Sequence, residues 1–131
     1  MAGVTGAAAV TNATVKAGVY ALSEANPIGY TAGSWSCSAG TLSGSNLTLA
    51  NGQNATCTIN DNDISPVLTL AKTVTNDNGG TAVVSSFTLT AAGPTPVSGT
   101  SGAAAVTSAS VNAGVYALSE TGPAGYTASV W

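Results

Sequence analysis

Two lysines, five carboxylates and two cysteines carry the side-chain chemistry this chain has near neutral pH; histidine and arginine are absent. With so few such groups, the placement of each one matters. Lys72 alternates with Leu68 and Leu70, so an extended strand turns its amine inward with them. Glu120 is in phase with Tyr116 and Leu118, Glu24 with Tyr20 and Leu22, and Asp61 with Cys57 and Ile59. An inward amine or carboxyl costs several kcal/mol unless it is paired or neutralised. Taken together, these residues point to amine–carboxyl chemistry. The competing placement puts them at strand ends, where the chain leaves a core.

Cys37 and Cys57 enclose residues 38–56. They read as a disulfide, with two free buried thiols as the alternative. The bridge would contribute about 3 kcal/mol by restricting the unfolded chain and implies an oxidising compartment. With no histidine and no CxxC spacing, they are a poor metal site. Asp61, Asp63 and Asp77, among neighbouring asparagines, offer hard oxygen ligands for Ca²⁺. Ordinary turn formation by Asn and Asp is the competing account. Trp35, Trp131 and the tyrosines likewise offer a carbohydrate-stacking surface or simply module packing.

Several functions are disfavoured. Without histidine, a basic partner for serine or a phosphate loop, hydrolytic catalysis has no support, so the expectation is a non-enzyme without a cofactor. Two lysines cannot make the electrostatic footprint that nucleic acid requires. No apolar run reaches the roughly 18 residues of a membrane helix, so no membrane insertion is expected in this segment.

The elements that must position these groups read as strands and turns. The charged fraction is 5%, against 44% hydrophobic residues, so the polar surface must come from Thr, Ser, Asn and Gly. Ordinary domains carry roughly 25% charged residues. Alternating stretches at 67–74, 81–90, 103–111, 114–120, 41–50 and 55–61 are separated by turn signals at 76–80, 112–114, 123–125 and 51–52. Residues 91–102 read as a loop. The fold class is all-β, an antiparallel Ig-like or prealbumin-like sandwich.

Residues 6–35 recur as residues 102–131, with 22 of 30 positions identical at an offset of 96 and no gap. A period of that length is one small domain in a tandem array. The boundary falls at 60–65, where NDND meets Ile64-Ser65-Pro66. On this reading residues 1–64 are the trailing two thirds of one repeat, and residues 65–131 the leading two thirds of the next. Each copy is expected to lack part of itself.

LTLAKTVTNDNGGT, FTLT, AGVYALSETGPAGYTA and LTLANGQNATCTINDNDI together resemble the prealbumin-like, Cna protein B-type (SpaA-like) repeats of bacterial surface proteins and pilins. The most specific string is Gly114, Tyr116, Leu118, Glu120, Pro123, Gly125 and Tyr126. The resemblance implies a spontaneous isopeptide bond between a first-strand lysine and a last-strand Asn or Asp, assisted by a Glu carboxyl. Lys72 matches the lysine, and Glu24 and Glu120 the glutamate. The acceptor is Asp61 by register, or Asn60 if a bulge turns it inward. It also implies an extracellular stalk, adhesin spacer or fibre subunit at the bacterial surface. Like chains or adjacent repeats joined head to tail are the expected partners, along with a glycan or host surface. A calcium- or carbohydrate-binding surface module is the alternative function.

Overall fold

The computed structural model describes residues 1–131. The chain forms two compact units, Met1–Ile64 and Ser65–Trp131. Every strand pairing is antiparallel, and the only helical segments are two short 3₁₀ turns.

In the first unit, β1 (Gly18–Ala21), β4 (Thr41–Ser43) and β5 (Asn46–Leu49) form a sheet in the order β1-β5-β4. A two-residue turn joins β4 to β5, and Gly44 enters it at φ +58, a value costly for any residue with a Cβ. Along β5 the alternation is plain: Leu47 and Leu49 are buried, while Asn46 and Thr48 face solvent. Two small ladders complete the unit. In one, β2 (Tyr30–Ala32) pairs with β7 (Asp61–Asp63); in the other, β3 (Ser36–Cys37) pairs with β6 (Cys57–Thr58).

In the second unit, β9 (Thr88–Ala92) lies between β10 (Val97–Gly99) and β12 (Ala117–Thr121). A second ladder joins β8 (Val67–Leu68) to β11 (Ala109–Ser110). The core between them is Leu70, Leu89, Ala91 and Val106, edged by Leu68, Val97, Ala103 and Tyr116. Leu89 and Ala91 alternate on β9, which gives that strand its inward face.

Several stretches differ from the periodicity reading. Residues 81–90 begin with a 3₁₀ turn at Val84–Ser86, and only the end of the stretch joins a ladder. Residues 103–111 contain the 3₁₀ turn Ala104–Val106, which delivers Val106 into the core at 0% exposure. Its carbonyl accepts the Leu70 amide at 2.9 Å, so this turn is tied to the segment that follows β8. The loop read at 91–102 holds β10, and the run at 55–61 splits into β6 and β7. Alternation reports which side chains face inward, whereas a ladder needs a neighbour at hydrogen-bonding distance.

Candidate functional site

Lys72 and Glu120 form an ion pair in the second unit. The Lys72 Nζ donates to both carboxylate oxygens of Glu120 at 2.8 Å. Their side chains are 14% and 15% exposed, so water screens them only in part. The backbone sets this up from both sides. Leu70 is anchored in the core, and two residues on the Lys72 amide donates to Ser101 Oγ at 3.1 Å. Glu120 sits on β12 directly opposite Leu89.

Phe87 forms the wall of this site. Its ring is buried, with Lys72 Nζ 4.7 Å from the centroid, a cation–π distance. Tyr126 meets Phe87 edge-on at 5.5 Å. The Tyr126 hydroxyl donates to Asn76 Oδ1 at 2.7 Å and accepts the Ala82 amide at 2.9 Å. A Cβ at Gly122 would run into the Phe87 ring, which explains the small residue there. Sequence reasoning missed Phe87 and Asn76. The only phenylalanine in an alternating stretch was the available signal for the first; the second reads as an ordinary turn residue.

The first unit carries a separate polar cluster. There the carboxyls of Glu24 and Asp61 are neighbours. Asn26, oriented by its hydrogen bonds, donates to Glu24 Oε1 at 2.9 Å and accepts the Ala32 amide at 2.9 Å. Ala32 lies opposite Asp61 in the β2–β7 ladder, which explains why one asparagine reaches both. Desolvation, then the hydrogen bond that a protonated Glu24 donates to Asp61, then the charge of Asp61, raise the Glu24 carboxyl above its ordinary value. Glu24 is itself exposed, so Asp61 is the cause that a substitution can remove. Asn60 is turned to the backbone instead: its Nδ2 donates to the Asp61 carbonyl at 3.4 Å, and its carbonyl accepts the Gly33 amide. Glu24, Ala32, Gly33, Trp35 and Ile59 line an adjoining cleft of about 440 Å³.

This pairing predicts a pH dependence. A folded-state pKa above the unfolded value means that the folded unit holds its proton more tightly. Stability therefore falls as pH rises through the raised value and is regained on acidification toward 4.5. Thermal melts of the wild type and of Asp61→Asn across this window should show a flatter profile for the variant. Equal slopes would contradict the Glu24–Asp61 contact.

Cys37 and Cys57 are joined by a disulfide. They face each other across β3 and β6, with Cα atoms 4.1 Å apart. The flanking Ser38 amide donates to the Thr56 carbonyl, which makes the cysteines the close, non-hydrogen-bonded pair that a bridge can span.

The structure does not gather the three aspartates into one cluster. Asp61 is engaged by Glu24, Asp63 lies exposed on β7, and Asp77 is in a turn of the other unit, accepting from Asn78 Nδ2 at 2.8 Å. No group of three His, Cys, Asp or Glu side chains is placed to hold a metal ion. Besides Tyr126, two more of the tyrosines have a structural use. Tyr20 donates to the Lys16 carbonyl at 2.6 Å and Tyr116 to the Asn112 carbonyl at 2.8 Å, the same corner at matching repeat positions. Lys16 thus contributes backbone to a corner.

An all-β chain of antiparallel sheets, with a partly buried lysine–glutamate pair beside an aromatic wall, defines a class of structural β-sandwich module. The family model for the prealbumin-like fold domain (SpaA_2) matches residues 1–59 and 63–131, and the chain belongs to this family. Such domains are structural modules of bacterial surface and pilin proteins. No curated protein and no solved structure matches the chain. No helix is long and apolar enough to cross a membrane.

Proposed function

We propose that this chain is a structural repeat of an exported bacterial surface protein, serving as a stalk, adhesin spacer or fibre subunit. Residues 1–64 are the trailing part of one repeat and residues 65–131 the leading part of the next. Its partners are like chains or adjacent repeats, joined head to tail. The observation that supports this most is the division of the charged groups. Lys72 and Glu120 pair in one unit, and Glu24 pairs with Asp61 in the other.

The two halves are complementary parts of one cross-link. When a last strand bearing Asp61 meets the segment bearing Lys72, the Glu120 carboxylate takes a proton from the Lys72 ammonium, and the amine so freed attacks the Asp61 carboxyl carbon. A C–N bond forms and a C–O bond breaks. The adjacent Glu carboxyl takes the amine proton and returns it to the departing hydroxyl, which leaves as water. Asn60 in the same role would release ammonia.

Intact mass under reducing, denaturing conditions tests this reading. The expected product is a linked species one water lighter than the sum of two chains, absent from Lys72→Arg. Full separation into chains of unaltered mass would remove the cross-link.

A further inference from the structure

We infer that Asn51 is a site of spontaneous, one-way modification. The Gly52 amide nitrogen closes on its side chain, and the asparagine becomes a mixture of aspartate and isoaspartate. The inference stands on one turn of the first unit and is independent of any cross-link.

Asparagine is a chemically labile residue, and the residue after it decides how labile. Ring closure requires the backbone nitrogen of that next residue to reach the asparagine side-chain carbonyl carbon. Asn26 precedes Pro27, which has no N–H, and most other asparagines precede residues whose own side chains crowd the attack. Only Asn51 and Asn78 precede a glycine.

Asn51 and Gly52 are the central pair of a β-turn between β5 and β6. The Gln53 amide closes the turn by donating to the Ala50 carbonyl at 3.3 Å, and Gly52 adopts the φ of +76 that the turn needs. The Ala50 amide donates to Gln53 Oε1 at 2.8 Å, so the corner is braced without using Asn51. The Asn51 carboxamide and the Gly52 N–H are left free of protein hydrogen bonds, and both residues are exposed. A Cβ at Gly52 would meet no atom within 4 Å, so no neighbour obstructs the ring. Nucleophile and electrophile are adjacent, and neither is spent on holding the fold.

The step balances with water as the only co-reactant. The Gly52 nitrogen gives its proton to solvent and bonds to Asn51 Cγ. The bond from Cγ to the side-chain nitrogen breaks, and that nitrogen leaves as ammonia with a proton from solvent. Water then opens the cyclic imide at either carbonyl. One opening gives aspartate; the other routes the backbone through the side-chain carbon as isoaspartate. The chain, at a net charge of −3, gains one further negative charge. The altered corner lies inside the ring closed by Cys37 and Cys57, which holds the far end of the loop at β6.

Asn78 supplies an internal comparison. Gly79 is equally unobstructed, but Asn78 Nδ2 donates to Asp77 Oδ1 at 2.8 Å. A carboxylate therefore sits against the group that must take on negative charge as the ring closes. Even in open water such a neighbour slows the step roughly fivefold. Residues 25–60 carry no charged side chain, so Asn51 has no such neighbour along the chain.

The test uses the folded full chain, incubated at mildly alkaline pH in water enriched in heavy oxygen and sampled for peptide mass mapping. The peptide holding residue 51 should exchange one NH for one heavy oxygen and separate into aspartate and isoaspartate forms. Asn78 should convert about fivefold more slowly, and Asp77→Ser should remove that difference. Asn51→Gln, which would need a larger ring, should stay unmodified. An Asn51 still intact once Asn78 has converted, equal rates at the two sites, or aspartate without isoaspartate would each overturn the inference. The exchange leaves chains unlinked, which separates it from the water or ammonia loss of the proposed cross-link.

Discussion

Leu89→Ala should unfold the Ser65–Trp131 unit. Leu89 is fully buried at the centre of the cluster with Leu70, Ala91 and Val106, so truncation leaves a cavity ringed by rigid ladders. Such changes cost about 2–5 kcal/mol. A single core of this size supplies no more than about 3–5 kcal/mol. The substitution therefore consumes most or all of the margin. Because Leu89 opposes Glu120 across the ladder, it also loosens the strand that carries the carboxylate to Lys72. Hydrogen exchange on the full chain should show protection lost at residues 88–92 and 117–121 and retained at 46–49. Val115→Ala, at a 91% exposed position, is the control and should shift stability by less than about 0.5 kcal/mol. Intact protection at 88–92 in the Leu89 variant would contradict the core described above.

The second large effect concerns the first unit. Leu47 and Leu49 are its only buried hydrophobic residues, far less apolar burial than in its neighbour. The disulfide therefore carries an unusual share of its stability. Cys37 and Cys57 are 20 residues apart, a loop whose closure is worth about 3 kcal/mol in the unfolded chain. Replacing both with serine also places two hydroxyls where the bridge lay. Cys37→Ser/Cys57→Ser should lose protection across β3, β6 and the β4–β5 hairpin, and limited proteolysis should cut within residues 36–58. The second unit should be unchanged. Wild-type protein treated with reductant should behave like the variant. Undiminished protection after reduction would show that the short ladders suffice without the bridge.

These two outcomes also bear on the proposed cross-link. The Glu24–Asp61 contact depends on β2 and β7 staying paired, in a unit with little core to hold them. Its Lys72–Glu120 counterpart depends on β12 staying on β9. Each half is only as durable as its ladder.

Much of this was legible in the residues. The phase of Leu68, Leu70 and Lys72 placed the lysine on an inward face, and Leu70 is buried with the Lys72 side chain mostly covered. Glu120 in phase with Tyr116 is half-buried as that alternation requires. Period-two patterning reports side-chain direction, and direction is set locally by the extended backbone. Leu118, in the same phase, is 39% exposed instead, on a strand with an open edge. Ladder boundaries were less legible. The 3₁₀ turn at Ala104–Val106 lies in an alternating stretch, and nothing local distinguishes it from a strand.

By itself the sequence determined the all-β class, the repeated block, the pair of cysteines and the small set of amine and carboxyl groups. All of these follow from residue type and spacing. Only the tertiary structure decided which groups meet. Lys72 finds Glu120 and the face of Phe87 because β12 returns to β9, and Glu24 finds Asp61 near the paired strands β2 and β7. Those partners lie far apart along the chain, and local periodicity carries no information about which strand edge another strand will take. The identical Gly-Val-Tyr-Ala segments make the point. The same four residues pair with β5 at 18–21, while the strand that continues from 114–117 pairs with β9.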